Sequence, residues 1–111
     1  MLDIESLTLK DIREIAAIAN PQASSHPWEI GKIYLIRTVT MIDVGRVVAV
    51  YPTEIVLEEA CWVADSGRFY DALRTGIVSE AEPFPDGRVI VGRGSVIDAA
   101  LWNFPPLRIQ K

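Results

Sequence analysis

The stretch that decides the fold runs from Lys32 to Ala64 and reads KIYLIRTVTMIDVGRVVAVYPTEIVLEEACWVA. It is rich in β-branched and aromatic residues, which favour strands. Two short segments interrupt it, Asp43-Val44-Gly45 and Pro52-Thr53. Residues of these types initiate turns. The stretch therefore predicts a meander of three antiparallel strands, at residues 32–42, 46–51 and 54–64.

Charged residues within this meander predict contacts between strands. If Pro52-Thr53 is a two-residue loop, Arg46 lies opposite Glu59, and the opposite charges predict a cross-strand ion pair. Arg37 lies in the first strand, where apolar residues occupy both faces. Its guanidinium suits three roles: an ion pair within the sheet, a contact in a protein interface, or a contact with a ligand.

The residues after the meander predict one inserted helix and three more strands. Asp65-Ser66-Gly67 ends the third strand and begins a helix at 68–75, and Gly76 ends that helix. Further strands are expected at 77–82, 88–91 and 95–101. They are separated by the turn Phe84-Pro85-Asp86-Gly87 and a hinge at Gly92-Arg93-Gly94. This pattern predicts a mainly β (α+β) fold, a small closed or nearly closed β-barrel or roll of about six strands.

The chain outside the β domain is expected to form three further segments. Residues 1–19 contain an amphipathic helix, with Thr8 as its N-cap and a narrow apolar face that must dock on another surface. Residues 20–31 contain two prolines and two serines and are expected to form a linker. The β domain is expected at 32–104 and a C-terminal tail at 105–111. The prolines Pro105-Pro106 stiffen the start of that tail.

The composition excludes several classes of function. The chain has 111 residues, with 11 basic and 15 acidic side chains and a net charge of −4. This balance argues against dedicated duplex nucleic-acid binding, which needs a basic surface. The apolar runs are too short to span a membrane, and the acidic N-terminus does not resemble a signal peptide. We therefore expect a cytoplasmic protein.

No group of residues predicts catalysis, a metal site or a cofactor. His26 and Cys61 are the only histidine and cysteine, and nothing in the sequence brings them together as a base and a nucleophile. Gly92-Arg93-Gly94-Ser95 has a spacing unlike that of known phosphate-binding loops, so a bulge or hairpin is the simpler interpretation. The expected protein is not an enzyme.

The apolar fraction of 50% predicts self-association instead. A chain this short leaves part of such a fraction on its surface, where apolar patches mark partner sites. The leading hypothesis is a non-enzymatic, self-assembling homo-oligomer, with Trp62 in the core. Its expected interface residues are Ile12, Ile15, Trp28, Arg37, Trp102, Phe104, Leu107 and Ile109. The alternative is a protein that sequesters a small, nucleotide-like ligand between subunits through Arg37, Arg68 and Arg93.

Five segments between Gly31 and Pro106 resemble a family of small uncharacterised proteins associated with phages and prophages. They read IRTVTM (36–41), VGRVVAV (44–50), IVLEEACWVADSGRFYDAL (55–73), EPFPDGRVIVGRG (82–94) and IDAALWN (97–103). The resemblance implies a phage-associated origin, with association with a virion as the alternative location and other phage structural proteins as further partners. It implies no catalytic residue.

Overall fold

The computed structural model describes residues 26–111, which form an antiparallel sheet and one short helix. The elements are β1 (Ile33–Thr38), β2 (Ile42–Val50), β3 (Glu54–Asp65), α1 (Phe69–Thr75), β4 (Glu80–Pro83), β5 (Val89–Gly92) and β6 (Val96–Leu101). A 3-10 turn at Arg93–Ser95 joins β5 to β6. The predicted mainly β fold is thereby confirmed. The predicted N-terminal helix, with Ile12 and Ile15, lies outside the described residues.

The six strands form one antiparallel sheet around the predicted meander. Its order is β4-β3-β2-β1-β6, and β5 pairs with the first half of β3, while β4 pairs with the second half. The hairpin between β2 and β3 turns at Pro52-Thr53, as expected, and the Tyr51 amide donates to the Glu54 carbonyl at 2.8 Å. The long strand β3 is therefore the element on which the rest of the sheet is built.

The first hairpin turns at residues 39–41, so the predicted turn at Asp43-Val44-Gly45 is wrong. Thr38 closes the turn, because its amide donates to the Met41 carbonyl at 2.7 Å and its hydroxyl accepts from the Met41 amide at 2.9 Å. The three residues 43–45 instead continue β2. A Cβ on Gly45 would lie 3.1 Å from the Leu57 Cβ, so this glycine permits close strand packing rather than a turn.

Two bulges in the β2–β3 ladder bend both strands. The pairing shifts between Val44 and Arg46 and shifts back between Val47 and Ala49. Glu59, with a φ of 53°, lies at the first bulge. The predicted ion pair forms nonetheless, because Arg46 Nε lies 2.7 Å from Glu59 Oε1 although Arg46 is paired in register with Glu58. Such bulges increase the local twist and curl the sheet.

The curl brings the two ends of β2 close together, but it does not close the sheet. The Arg93 amide donates to the Thr53 carbonyl, and the Val39 amide donates to the Ser95 carbonyl, both at 2.9 Å. The segment Arg93–Ser95 joins these two contacts, and three residues span at most about 10 Å. Yet β5 pairs only with β3 and β6 only with β1 among the described strands. Of the predicted closed or nearly closed barrel or roll, the closed form is therefore wrong, because the edges meet through a turn and not through a ladder.

Both faces of the central strands are covered. On one face, Leu35, Val44 and Val63 pack against α1 and the C-terminal segment. On the other face, the rolled sheet packs on itself around Ile36, Leu57 and other apolar side chains. Apolar residues on both sides of β1 are thus explained by two clusters, one under the helix and one inside the roll.

The inserted helix and its end agree with the sequence. Ala72 is buried and Phe69 and Leu73 pack on the same cluster, as their spacing predicts. Gly76 adopts the left-handed conformation, with a φ of 75°, and its amide donates to the Ala72 carbonyl. Among the described residues no helix is long and apolar enough to cross a membrane.

Candidate interaction surface

The outer edge of β6 carries backbone groups without a strand partner among residues 26–111. The register pairs Tyr34 with Leu101 and Ile36 with Ala99. The Trp102 amide donates to the Ile33 carbonyl at 2.8 Å. The backbone groups of Trp102 therefore point towards β1. In an antiparallel ladder this direction alternates along the strand. The amide and carbonyl groups of Ala99 and Leu101 therefore point away from the sheet.

Exposed large apolar side chains lie at the β1–β2 turn, near the start of β6. Val39 is 71% exposed, Ile97 65% and Met41 50%, and the three line one shallow depression of about 410 Å³. We call this the turn depression. Trp62 forms part of its wall and is half-buried, although the sequence placed it in the core. Leu101, at the other end of β6, is 44% exposed. The sequence signal for this surface was the alternation of Val39 and Met41 with threonines after Arg37.

Arg37 forms an ion pair that ties β6 to β1. Arg37 Nε donates to Asp98 Oδ1 at 2.7 Å, and Nη2 donates to Oδ2, so the contact is bidentate. Its guanidinium also lies 4.4 Å from the centre of the Phe69 ring. The hydrogen bonds lower the pKa of Asp98 and raise that of Arg37. Of the three roles considered for Arg37, the ion pair within the sheet is confirmed, and its place in an interface stays a prediction.

The C-terminal residues, whose apolar side chains were expected to contact a neighbouring subunit, lie against their own chain. Trp102 is only 3% exposed, and its Nε1 donates to the Pro105 carbonyl at 3.1 Å. Phe104 and Leu107 pack against the same cluster, whereas Ile109 is 79% exposed. The segment thus folds back on the sheet, and its apolar residues cover the domain. Their expected contacts with a neighbouring subunit remain untested.

The same segment covers the outer edge of β4. Arg108 Nη1 donates to the Ala60 carbonyl at 2.7 Å, and Nη2 donates to the Phe84 carbonyl at 3.2 Å. The Lys111 amide donates to the Ala81 carbonyl at 2.8 Å and the Ala81 amide donates back at 3.3 Å. Lys111 thus occupies the place that a further strand would take on β4.

Trp28 lies on the other face of the roll. Its ring meets the Tyr34 ring edge to face, with centres 5.0 Å apart, and the Tyr34 hydroxyl accepts a hydrogen bond from the Glu29 amide. Trp28, Pro27 and Ala99 contribute to a small apolar depression of about 270 Å³. Trp28 is half-buried, so it serves the core while leaving part of its ring on the surface next to β6.

No described contact brings Arg37, Arg68 and Arg93 together into one anion site. Arg93 Nη1 donates to the Tyr51 carbonyl at 2.8 Å, which fixes the 3-10 turn to the β2–β3 hairpin. Ser95 Oγ closes the same turn by donating to the Gly92 carbonyl at 2.7 Å. Arg68 is exposed at the start of α1. Two of the three arginines therefore have structural partners, and the glycine-rich segment is a connecting turn.

Asp43 is a buried acid that the sequence analysis assigned to a turn. It is 5% exposed, and within the described residues its Oδ1 has no hydrogen-bond partner. Its cross-strand neighbours are Ile36 and Trp62. Burial raises the pKa of Asp43 to about 6. A single acid between two apolar strand positions was the available signal, but the glycine two residues later favoured a turn.

The described residues contain no group of three or more metal-ligand side chains that could hold an ion. Cys61 is fully buried, and burial raises the pKa of its thiol to about 11. The thiol is consequently protonated at neutral pH and a poor nucleophile.

A search of protein-family models, curated proteins and solved structures finds no match to this chain.

Proposed function

We propose that the chain is a non-enzymatic, self-assembling structural or interaction protein that works as a homo-oligomer. The observation that carries the proposal is the apolar surface beside β6, formed by Val39, Met41 and Ile97. Three large apolar side chains that share one depression are typical of a surface that binds another protein. Burying each of them contributes about 1.5–3 kcal/mol, and a symmetric contact uses the surface of both copies.

The origin that we propose is a phage or prophage, and it rests on the resemblance of the five segments between Gly31 and Pro106. On this proposal the protein acts in the cytoplasm or as part of a virion, and other phage structural proteins are further partners. The protonated thiol of Cys61 and the intrachain contacts of Arg37 and Arg93 support a role in assembly over catalysis or anion sequestration.

The experiment is light scattering coupled to size exclusion, together with native mass spectrometry, on the full chain at micromolar concentration. We expect a mass that is a multiple of the subunit's 12.3 kDa. Met41→Lys introduces a charge into the turn depression and should lower the oligomer population. Tyr70→Lys is the matched control, because Tyr70 is 70% exposed on α1 and does not line that depression.

A mass of 12.3 kDa across the whole concentration range would contradict the proposal. Equal weakening by Met41→Lys and Tyr70→Lys would show that the assembly does not depend on the turn depression. A nucleotide retained in the native mass spectrum would instead favour the sequestering alternative through Arg37, Arg68 and Arg93.

A further inference from the structure

The outer edge of β6 is suited to pairing with another strand. It bears one charged residue, Asp98, and the Arg37 guanidinium already engages that carboxylate on the side of β1. The strand VIDAAL contains no proline and no lysine. Proteins usually protect exposed edges with such residues, with bulges or with a covering segment. The bulge at residue 97 lies at one end of β6 and leaves the part from Asp98 to Leu101 regular.

We infer that β6 pairs antiparallel with β6 of a second copy about a twofold axis at Ala99, which joins two sheets into one. This inference rests on the proposed homo-oligomer and specifies how its subunits meet. Ala99 would exchange two backbone hydrogen bonds with Ala99 of the second copy. Its methyl group is small enough to lie on the axis beside its symmetry mate.

Backbone direction and charge select this register among the possible ones. The outward-pointing backbone groups belong to Ala99 and Leu101. The twofold axis of an antiparallel pairing must therefore pass through one of these two residues or through a residue next to them. An axis at Asp98 would set two like charges directly opposite each other, which is destabilising. An axis at Ala100 keeps only residues 99–101 paired within β6, whereas an axis at Ala99 keeps residues 97–101 paired within it.

The axis at Ala99 avoids both problems. It places Asp98 opposite Ala100 of the second copy and Ile97 opposite Leu101. The last pair covers two side chains that are 65% and 44% exposed in the single chain. Cross-strand apolar pairs of this kind stabilise a ladder. The arrangement is isologous, since every contact occurs twice, and it therefore closes as a dimer along this edge.

Disulfide crosslinking tests the register in the full chain. Hydrogen-bonded antiparallel residues have Cα atoms about 5.5 Å apart, within the range of about 4.4–6.8 Å that a disulfide requires. Ala99→Cys should therefore crosslink under mild oxidation and shift the chain from 12.3 kDa to twice that mass on a non-reducing gel. The native Cys61 is fully buried, so the unmodified chain should not crosslink.

Two matched variants control for accidental collision. Ala100→Cys moves the thiol by one residue to the other face of the sheet, where it meets no symmetry mate. Ile90→Cys places a thiol at a position that is 68% exposed on the outer face of β5. Neither should crosslink, and circular dichroism should report the same β signal for all three variants.

Each result has a defined meaning. Crosslinking of Ala99→Cys alone, in a protein that is oligomeric by light scattering, supports the pairing. An oligomer in which Ala99→Cys fails to crosslink, or crosslinks no faster than the controls, overturns the pairing and leaves the proposed function standing. A protein that stays monomeric overturns both.

Discussion

Two outer edges of the sheet, those of β4 and β6, are treated in opposite ways by the same chain. On β4, Ala81 exchanges two hydrogen bonds with Lys111, and Arg108 donates to the carbonyls of Ala60 on β3 and of Phe84, just after β4. On β6, the backbone groups of Ala99 and Leu101 point outwards and have no strand partner in residues 26–111. The apolar tail thus covers one edge of its own domain. The comparison teaches that the edge without an intrachain cover is the better candidate for contact between copies.

The largest expected effect lies on the covered side. Trp102→Ala should lower the free energy of unfolding by about 3–5 kcal/mol, because it removes a buried indole and leaves a cavity. Ile109→Ala, in the same segment but 79% exposed, should change it by less than about 0.5 kcal/mol. Urea denaturation measures both. If both substitutions gave equally small losses in unfolding free energy, Trp102 would contribute little to the core and would fit the interface role predicted from the sequence.

Removing residues 108–111 should convert the covered edge into an open one. The deletion eliminates four hydrogen bonds to the sheet, for an expected loss of about 2–4 kcal/mol in unfolding free energy. The exposed β4 edge should also promote further association, visible as a higher mass in light scattering. Arg108→Ala alone should give an intermediate loss and leave the Lys111 pairing in place. A deletion with unchanged stability would show that the tail does not protect β4.

Asp43, on the interior strand β2, provides a reference that belongs to neither edge. Folding raises its pKa from 3.8 to about 6, so the folded state favours the protonated acid. The resulting stability is present below about pH 4 and is lost as the pH rises through about 6. Asp43→Asn should therefore stabilise the fold by about 1–3 kcal/mol at neutral pH. It should give little gain near pH 4.

Denaturation of both chains across this pH range measures the effect. The mass in solution should be the same for both, since Asp43 is buried and its strand is paired on both sides. A gain that does not depend on pH would contradict the assignment of a buried carboxylate whose pKa is raised by the loss of solvent.

The smallest effect is expected from the ion pair that holds β6 to β1. Arg37 and Asp98 are 40% and 47% exposed, and exposed pairs contribute at most about 1 kcal/mol. A double-mutant cycle with Arg37→Ala and Asp98→Ala should find a coupling energy below that value. A much larger coupling would mean that β6 is held in place mainly by charge, and not by its ladder with β1.

The sequence predicted the features that depend on local residue type. These include the second hairpin at Pro52-Thr53, the helix end at Gly76 and the pairing of Arg46 with Glu59. It mistook Asp43 and Gly45 for a turn, because the close approach of Leu57 that requires a glycine is a tertiary contact. It also could not show that Trp102 turns back on the sheet, since an apolar tail suits an interface and a core equally well.

The edge comparison is tested most directly by residue-resolved amide hydrogen exchange of the full chain at two protein concentrations. The account predicts that the outward amides of Ala99 and Leu101 exchange rapidly in dilute solution and become protected as the concentration rises. The amide of Ala100 points towards β1 and should be protected at both concentrations. Exchange at Ala99 and Leu101 that is independent of concentration, in a protein shown to associate, would contradict it.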